Sequence, residues 1–184
     1  MLTFNKKALL ISVVLLGVIS LLVLFIVPIP RRVSSTGAWY VLETGPLLGN
    51  KTYALATNQE NIKLKMYFNN LYVFRMEIKT PPTLHIENVN GQTSVLIKFD
   101  EWNDFEFFGT VSGNTITLDL STELFDFMTT TTAFVLGLYT DDSFEYHTIS
   151  LYGFGPSFLN FQVKVAEQLA KRTGISKDIL PYLP

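Results

Sequence analysis

The hydrophobic and polar positions of this chain follow three patterns, and the first is an apolar run. Residues 8–27 contain no charged side chain and are rich in Leu, Val and Ile. At ~1.5 Å of rise per residue, the run covers about 30 Å as a helix, which is the thickness of the hydrocarbon core of a bilayer. A cleavable signal peptide has a shorter apolar region and a small-residue cleavage site. We therefore predict one retained N-terminal transmembrane helix within residues 1–32.

Residues 33–156 show the second pattern, in which apolar and polar positions alternate in short runs that end at turn residues. This alternation is typical of antiparallel strands with one buried face. It predicts three hairpins, with a three-residue loop at residues 69–71 and two-residue turns at Asn90-Gly91 and Gly113-Asn114. The pairs expected across these hairpins include Met66 with Phe74, Ile86 with Val95, Val111 with Ile116 and Phe107 with Leu120. Phe107 is therefore expected to face the core, and its neighbour Phe108 is expected to face outward.

Consecutive antiparallel strands with one apolar face need a second layer to cover that face. We therefore predict an all-β fold, an antiparallel β-sandwich of about nine to ten strands, for residues 33–156. Further strands are expected at residues 38–43, 53–57, 134–139 and 144–151.

The third pattern has helical spacing and lies at the end of the chain. Ser157 is the expected N-cap of a helix, and Gly174 is expected to end it. We predict that residues 157–184 form an amphipathic helix and tail packed on the β-sandwich. The residues on the apolar face of this helix are Phe158, Phe161, Val165 and Leu169.

Charge is distributed unevenly along the chain. Residues 1–32 contain four of the fourteen basic residues and none of the sixteen acidic ones, so ten basic and sixteen acidic residues remain. Residues 99–163 contain ten carboxylates and neither Lys nor Arg. Such a surface repels nucleic acid, and we expect no nucleic-acid partner. Residues 100–104 and Asp141-Asp142 could hold Ca²⁺, although the spacing of an EF-hand loop is absent.

Basic residues flank both ends of the apolar run in nearly equal number, so they do not decide its orientation. The chain has no Cys, which excludes a disulfide framework and a thiolate metal site. Asn50-Lys51-Thr52 is a glycosylation sequon. We expect a single-pass membrane protein with its domain on the extracytoplasmic side, and Asn50 is a candidate glycosylation site.

Few groups suited to catalysis occur in the sequence. No phosphate-binding, hydrolase or zinc-protease motif is present, and His85 and His147 are the two histidines. Alternation places His85 on an outer face and His147 near a strand edge. A catalytic triad or a metal site needs several such groups to converge. We predict a protein that is not an enzyme, with no catalytic or metal-ligating residue and no cofactor.

Two resemblances suggest alternatives. Residues 113–118, residues 134–139 and Tyr146-His147 resemble the closing strands of DOMON and carbohydrate-binding β-sandwiches. The likeness to DOMON domains implies a ligand-binding or redox module in which Met66 or Met76 holds a haem together with His147. Residues 5–8, Asn-Lys-Lys-Ala, resemble the leaders of archaeal prepilins, which implies a pilin-like filament subunit that is cleaved after Lys7.

Our primary interpretation is a membrane-anchored, non-enzymatic interaction protein or accessory subunit of a cell-envelope or membrane protein assembly. Its expected partners are the lipid bilayer, through the N-terminal helix, and other membrane or envelope proteins. The haem-binding module and the filament subunit stay open as alternatives, and the sequence does not identify the partner.

Overall fold

Strands make up most of the described chain. The structure, a computed structural model, describes residues 12–18, 27–46, 50–68, 73–100, 103–121, 123–141 and 143–174. The strands are β1 (Ile29–Thr36), β2 (Trp39–Gly45), β3 (Thr52–Gln59), β4 (Ile62–Phe68), β5 (Phe74–Lys79), β6 (Gln92–Lys98), β7 (Asp104–Ser112), β8 (Thr115–Leu120), β9 (Ala133–Tyr139) and β10 (Phe144–Ser150). The helices are α1 (Glu123–Thr130) and α2 (Phe154–Thr173).

The ten strands form one sheet, in the order β1-β2-β3-β4-β5-β8-β7-β6-β9-β10. The pairings whose registers are described are all antiparallel. The predicted all-β class is therefore confirmed. Two separate sheets were expected, whereas the described strands belong to one sheet that curls. Curling covers the apolar face much as a second layer does, because it turns that face inward.

The chain divides into two compact units. One comprises Met1–Arg31 and Glu43–Thr52, and the other comprises Arg32–Leu42 and Tyr53–Pro184. In the first unit Glu43 is buried, and its Oε1 accepts a 2.6 Å hydrogen bond from Nε of Arg31 and lies 2.9 Å from Nζ of Lys51.

Helix α2 covers the core of the second unit with three aromatic side chains. Phe154 packs edge-on against Trp39, with ring centroids 5.0 Å apart, and Phe161 packs against Phe74 at 5.9 Å. Phe158 stacks with Phe154 at 5.6 Å and with Phe161 at 6.3 Å. Spacings of four and three residues place the three rings on one helical face. Phe154 and Phe161 are fully buried, and burial of each stabilises the fold by about 1.5–3 kcal/mol.

The start of α2 differs from the prediction. Its N-cap is Gly153, and Ser157 lies inside the helix, where its N–H bonds to the Gly153 carbonyl at 3.2 Å and its Oγ donates to the Trp39 carbonyl at 3.1 Å. Pro156 is accommodated at the third helical position because the first four N–H groups of a helix have no intrahelical acceptor. The helix ends as predicted at Gly174, whose N–H donates to the Ala170 carbonyl at 2.9 Å.

The hairpin between β4 and β5 has the predicted faces but not the predicted register. Met66 lies opposite Met76, whereas Phe74 was expected there. A shift of two residues keeps every side chain on its own face, so both registers satisfy the hydrophobic pattern. At the Gly113-Asn114 turn the predicted register is confirmed, with Val111 opposite Ile116.

The Asn90-Gly91 turn forms as predicted, but the hairpin around it does not. Val89 and Gln92 exchange backbone hydrogen bonds of 2.9 and 3.1 Å, and both central residues have positive φ, as a two-residue hairpin turn requires. Before the turn, Ile86 pairs with Thr140 and not with Val95. The reason is that β7 and β9 occupy both edges of β6.

The prediction of a transmembrane helix is wrong. No helix within the described ranges is long and apolar enough to cross a membrane. From the apolar run, the structure describes residues 12–18, which are helical, and residue 27. The other residues of the run lie outside the described ranges. This finding contradicts the prediction of a single-pass membrane protein, which was made from the length and hydropathy of the run and from the absence of a cleavage site. These properties measure how well a run suits a bilayer and do not determine the structure that it adopts.

Candidate functional site

The outer face of the sheet carries exposed apolar side chains where β7, β6, β9 and β10 lie side by side. Leu96 on β6 lies opposite Glu106 on β7 and opposite Gly137 on β9. Gly137 in turn lies opposite Tyr146 on β10. These four residues form a row across the sheet of roughly 14 Å, since neighbouring strands are ~4.8 Å apart.

A second row lies two residues further along the same strands, and therefore on the same face. Phe108 lies opposite Ser94, and Phe144 lies opposite Tyr139. We call the apolar and aromatic members of the two rows the aromatic patch. It consists of Leu96, Phe108, Tyr139, Phe144 and Tyr146.

Two rings of the aromatic patch are largely open to solvent. Phe108 is 76% exposed and Tyr146 is 62% exposed. The neighbour Phe107 points to the other side and packs against the core, so the predicted inward and outward positions of these two residues are confirmed. The aromatic patch was not predicted from the sequence, because alternation assigns Tyr139, Phe144 and Tyr146 to strands but does not specify which strands are neighbours.

Gly137 makes room for the ring at the centre of the aromatic patch. A Cβ atom at this position would lie 2.5 Å from the Phe144 ring and 3.2 Å from Cβ of Leu96. The Phe144 ring thus covers the glycine backbone. It meets Tyr139 and Tyr146 edge-on, with centroids 4.3 and 4.7 Å away. The rings therefore support one another and form a defined surface.

β10 is the last strand of the sheet, and its outer edge is only partly occupied. Both backbone groups of Ser150 bond to the side-chain amide of Gln59, at 2.9 and 3.0 Å. Thr148 N–H donates to Oε2 of Glu60 at 3.1 Å. Along an antiparallel strand, the backbone groups of alternate residues face the same edge. The backbone groups of Phe144 and Tyr146 therefore face the same edge as those of Thr148 and Ser150. No strand of the described chain pairs with that edge.

Carboxylates border the aromatic patch. Glu106, at the end of the first row, accepts a hydrogen bond from Oγ of Ser94. Glu87 is held beside Tyr139, because its N–H donates to the Tyr139 carbonyl at 3.0 Å. In the next row along the strands, Asp104 lies opposite Lys98. The surroundings of the patch therefore carry more negative than positive charge.

His147 lies between two carboxylates. Its Nδ1 is 3.7 Å from Oε2 of Glu60, and its Nε2 is 3.7 Å from Oε2 of Glu145. The His147 side chain is only 15% exposed, and its Nε2 has no hydrogen-bond partner within the described residues. The two nitrogens of an imidazole point in different directions, so these carboxylates do not converge on one point with the ring. In the described part of the chain, no group of three or more potential ligands could hold a metal ion.

The other residues proposed from the sequence lie apart. Met66 and Met76 are fully buried and opposite each other in the core, where packing is their ordinary role. His85 is exposed. Haem binding by either methionine together with His147 stays a prediction. Asn50 is exposed, and its glycosylation also stays a prediction.

The acidic segments considered for Ca²⁺ are described in part. Asp100 caps its own loop, because its Oδ1 and Oδ2 accept hydrogen bonds of 2.8 and 2.7 Å from the backbone and side-chain nitrogens of Asn103. Glu101 and Asp142 lie outside the described residues. Calcium binding at these segments stays a prediction.

The comparisons with known proteins concern the fold. No protein-family model matches the chain, and no curated protein matches it in sequence. Among solved structures, the chain is similar to the crystal structure of invasion associated protein B from Bartonella henselae, with a TM-score of 0.57 and 12% sequence identity. The match covers 76% of this chain and 98% of that chain. At this identity the likeness shows a shared fold alone.

Proposed function

We propose that this protein is a non-enzymatic interaction module, or an accessory subunit of a protein assembly, that binds a protein partner through the aromatic patch. One observation carries the proposal, namely that Phe108 and Tyr146 expose most of their surface on an ordered strand face. Aromatic rings are enriched in protein interfaces, since they bury a large area at a low cost in conformational entropy.

The physical basis is the hydration of the exposed rings. Apolar surface in water is unfavourable, and a contiguous exposed patch is more often an interaction site than scattered single residues are. In this protein Phe144 contacts the rings of Tyr139 and Tyr146 edge-on across β9 and β10, and β6 lies between these rings and Phe108 on β7. A partner that covers them would gain free energy without first having to order the surface.

Site-specific photocrosslinking in the cells that produce the protein tests this proposal. A photoreactive phenylalanine analogue would replace Tyr146 in the full chain, and the matched control would carry it in place of Tyr152. Tyr152 is 74% exposed and lies six residues further along the chain, in the turn between β10 and α2. We expect a discrete protein adduct from position 146 that is strongly reduced at position 152. Equal adducts at the two positions, or an adduct at position 152 alone, would contradict the proposal.

A further inference from the structure

We infer that the partner segment bound by the aromatic patch is an extended peptide carrying Lys or Arg, aligned along the outer edge of β10. This inference rests on the proposed function and names the chemistry of the partner. It follows from three features of the same outer face, which are its rings, its charges and its strand edge.

Elsewhere on the outer face, tyrosine rings are covered by cations of the chain itself. The guanidinium carbon of Arg32 lies 3.9 Å from the ring centroid of Tyr40, and Nζ of Lys65 lies 4.7 Å from that of Tyr67. A cation over an aromatic ring is attracted to the negative face of the ring. In the aromatic patch, no cation of the described residues lies over Tyr139 or Tyr146. A Lys or Arg side chain from a partner would complete the same arrangement there.

The charges near the aromatic patch favour the same kind of partner. Glu87 and Glu106 border the patch, and residues 99–163 of the sequence contain ten carboxylates and neither Lys nor Arg. Lys98, just before this segment, is a basic residue near the patch, and it lies opposite Asp104 in the adjacent row. Complementary charge accelerates encounter and selects against partners of the wrong sign. An acidic or phosphorylated segment would be repelled, whereas a basic segment would be attracted.

The open part of the β10 edge determines the shape of the segment. Within the described residues, Gln59 and Glu60 occupy the edge at Ser150 and Thr148, and the backbone groups that face outward at Tyr146 and Phe144 are left for a partner strand. A peptide added to a sheet edge directs alternate side chains to one face of the sheet. Its basic side chains on that face would reach the rings of Phe144 and Tyr146, which lie on β10 itself. The backbone contact is short, so the side-chain contacts supply most of the affinity.

Fluorescence anisotropy with two synthetic peptides tests the inference on the full chain. One labelled nonapeptide alternates arginine with threonine, and the control nonapeptide has glutamate in place of arginine. We expect the arginine peptide to bind and the glutamate peptide not to bind. Tyr146→Thr should weaken binding of the arginine peptide by roughly tenfold, since it removes an exposed ring on β10. Phe108→Thr should have little effect on this peptide, because Phe108 lies on β7, three strands from β10. Tyr152→Thr is the matched control and should leave the affinity unchanged.

The acidic border is tested in the same titration. Glu106→Gln should weaken binding a few-fold and reduce its dependence on salt, whereas Glu123→Gln, on α1, should do neither. Thermal melting of each variant shows that it is folded. Equal binding of the two peptides, or equal loss for Tyr146→Thr and Tyr152→Thr, would overturn the inference. An adduct from position 146 to a partner segment without basic residues, or to a second copy of this chain, would also overturn it while leaving the patch an interaction surface.

Discussion

Gly153 occupies a position where the fold leaves no room for a side chain. Its φ is 83°, in the left-handed region, and a Cβ atom would lie 1.8 Å from the carbonyl oxygen of Thr36. We expect Gly153→Ala to lower the free energy of unfolding by at least about 2 kcal/mol, because the left-handed conformation alone costs about 1–2 kcal/mol. The clash with backbone atoms adds to this loss. Urea unfolding of the purified protein measures it.

Gly155 supplies the matched control for this substitution. It lies two residues further along in α2, and a Cβ atom there would meet nothing within 4 Å. Gly155→Ala should be neutral or raise the free energy of unfolding by up to about 1 kcal/mol, since alanine favours a helix over glycine. If both variants unfolded at the same urea concentration, the described start of α2 would be incorrect.

Tyr67 is the residue whose titration the fold alters most clearly. Burial raises its pKa from 10.0 to about 12, and the 2.8 Å hydrogen bond that its hydroxyl donates to Glu77 acts in the same direction, as does the charge of Glu77. The folded protein therefore holds this proton more tightly than the unfolded chain does. Its contribution to stability is full below pH ~10 and is lost as the pH rises through ~12.

An ultraviolet titration of phenolate measures this shift in the native protein. Subtracting the titration curve of Tyr67→Phe from that of the wild type isolates one tyrosine. We expect the difference curve to have its midpoint near pH 12, because the raised pKa belongs to Tyr67. A difference curve centred near pH 10 would show that Tyr67 neither loses water nor bonds to Glu77 as described.

At the scale of elements, one side-chain amide joins β3 to β10, the last strand of the sheet. Gln59 in β3 bonds to both backbone groups of Ser150 in β10, in the manner of a neighbouring strand. We expect Gln59→Ala to lower the free energy of unfolding by about 2 kcal/mol, since each lost hydrogen bond contributes about 1 kcal/mol. Gln92→Ala, at an exposed position in β6, should change it by less than about 0.5 kcal/mol. Equal losses from the two substitutions would show that Gln59 does not hold β10.

The elements also show which parts of the fold hydrophobic alternation can predict. It identified the strand faces and several strands correctly, because the pattern of a strand is local. It could not distinguish Met66 opposite Met76 from Met66 opposite Phe74, since the two registers differ by two residues and bury the same face. The observed register places Lys65 opposite Glu77, with Nζ 3.2 Å from Oε2. The hydrophobic pattern contains no information about this ion pair. An ion pair at the surface also stabilises a fold by only about 0–1 kcal/mol.

Two elements were missed for different reasons. β1 follows the apolar run directly and is largely exposed, so it has little of the alternation that marks a strand. α1 is only eight residues long and buries Leu124 and Met128, too short a pattern to separate a helix from a loop. α1 packs on a distant part of the chain, with the ring centroids of Phe125 and Phe74 4.5 Å apart, whereas β1 lies beside β2, its neighbour in sequence.

At the scale of the whole molecule, strand order creates the candidate site. Alternation correctly placed Phe108 outward, but the aromatic patch exists only because β6 lies between β7 and β9, and β10 follows β9. These neighbours are distant in sequence, and no local pattern specifies their order. Composition did indicate the acidic surroundings, because it needs no knowledge of the fold. Composition and length also predicted a membrane span for residues 8–27, and the described ranges contain no helix that could cross a membrane.

Quantitative co-purification from the cells that produce the protein tests most directly whether the aromatic patch binds a protein partner. The full chain would be compared with a variant carrying Phe108→Thr and Tyr146→Thr and with the control Tyr152→Thr. Both patch substitutions are at exposed positions, so the melting temperature should change little. We expect one set of proteins to accompany the wild type and the control, and to be lost from the patch variant. Recovery of the same proteins in equal amounts with all three would show that the patch is not the interaction surface.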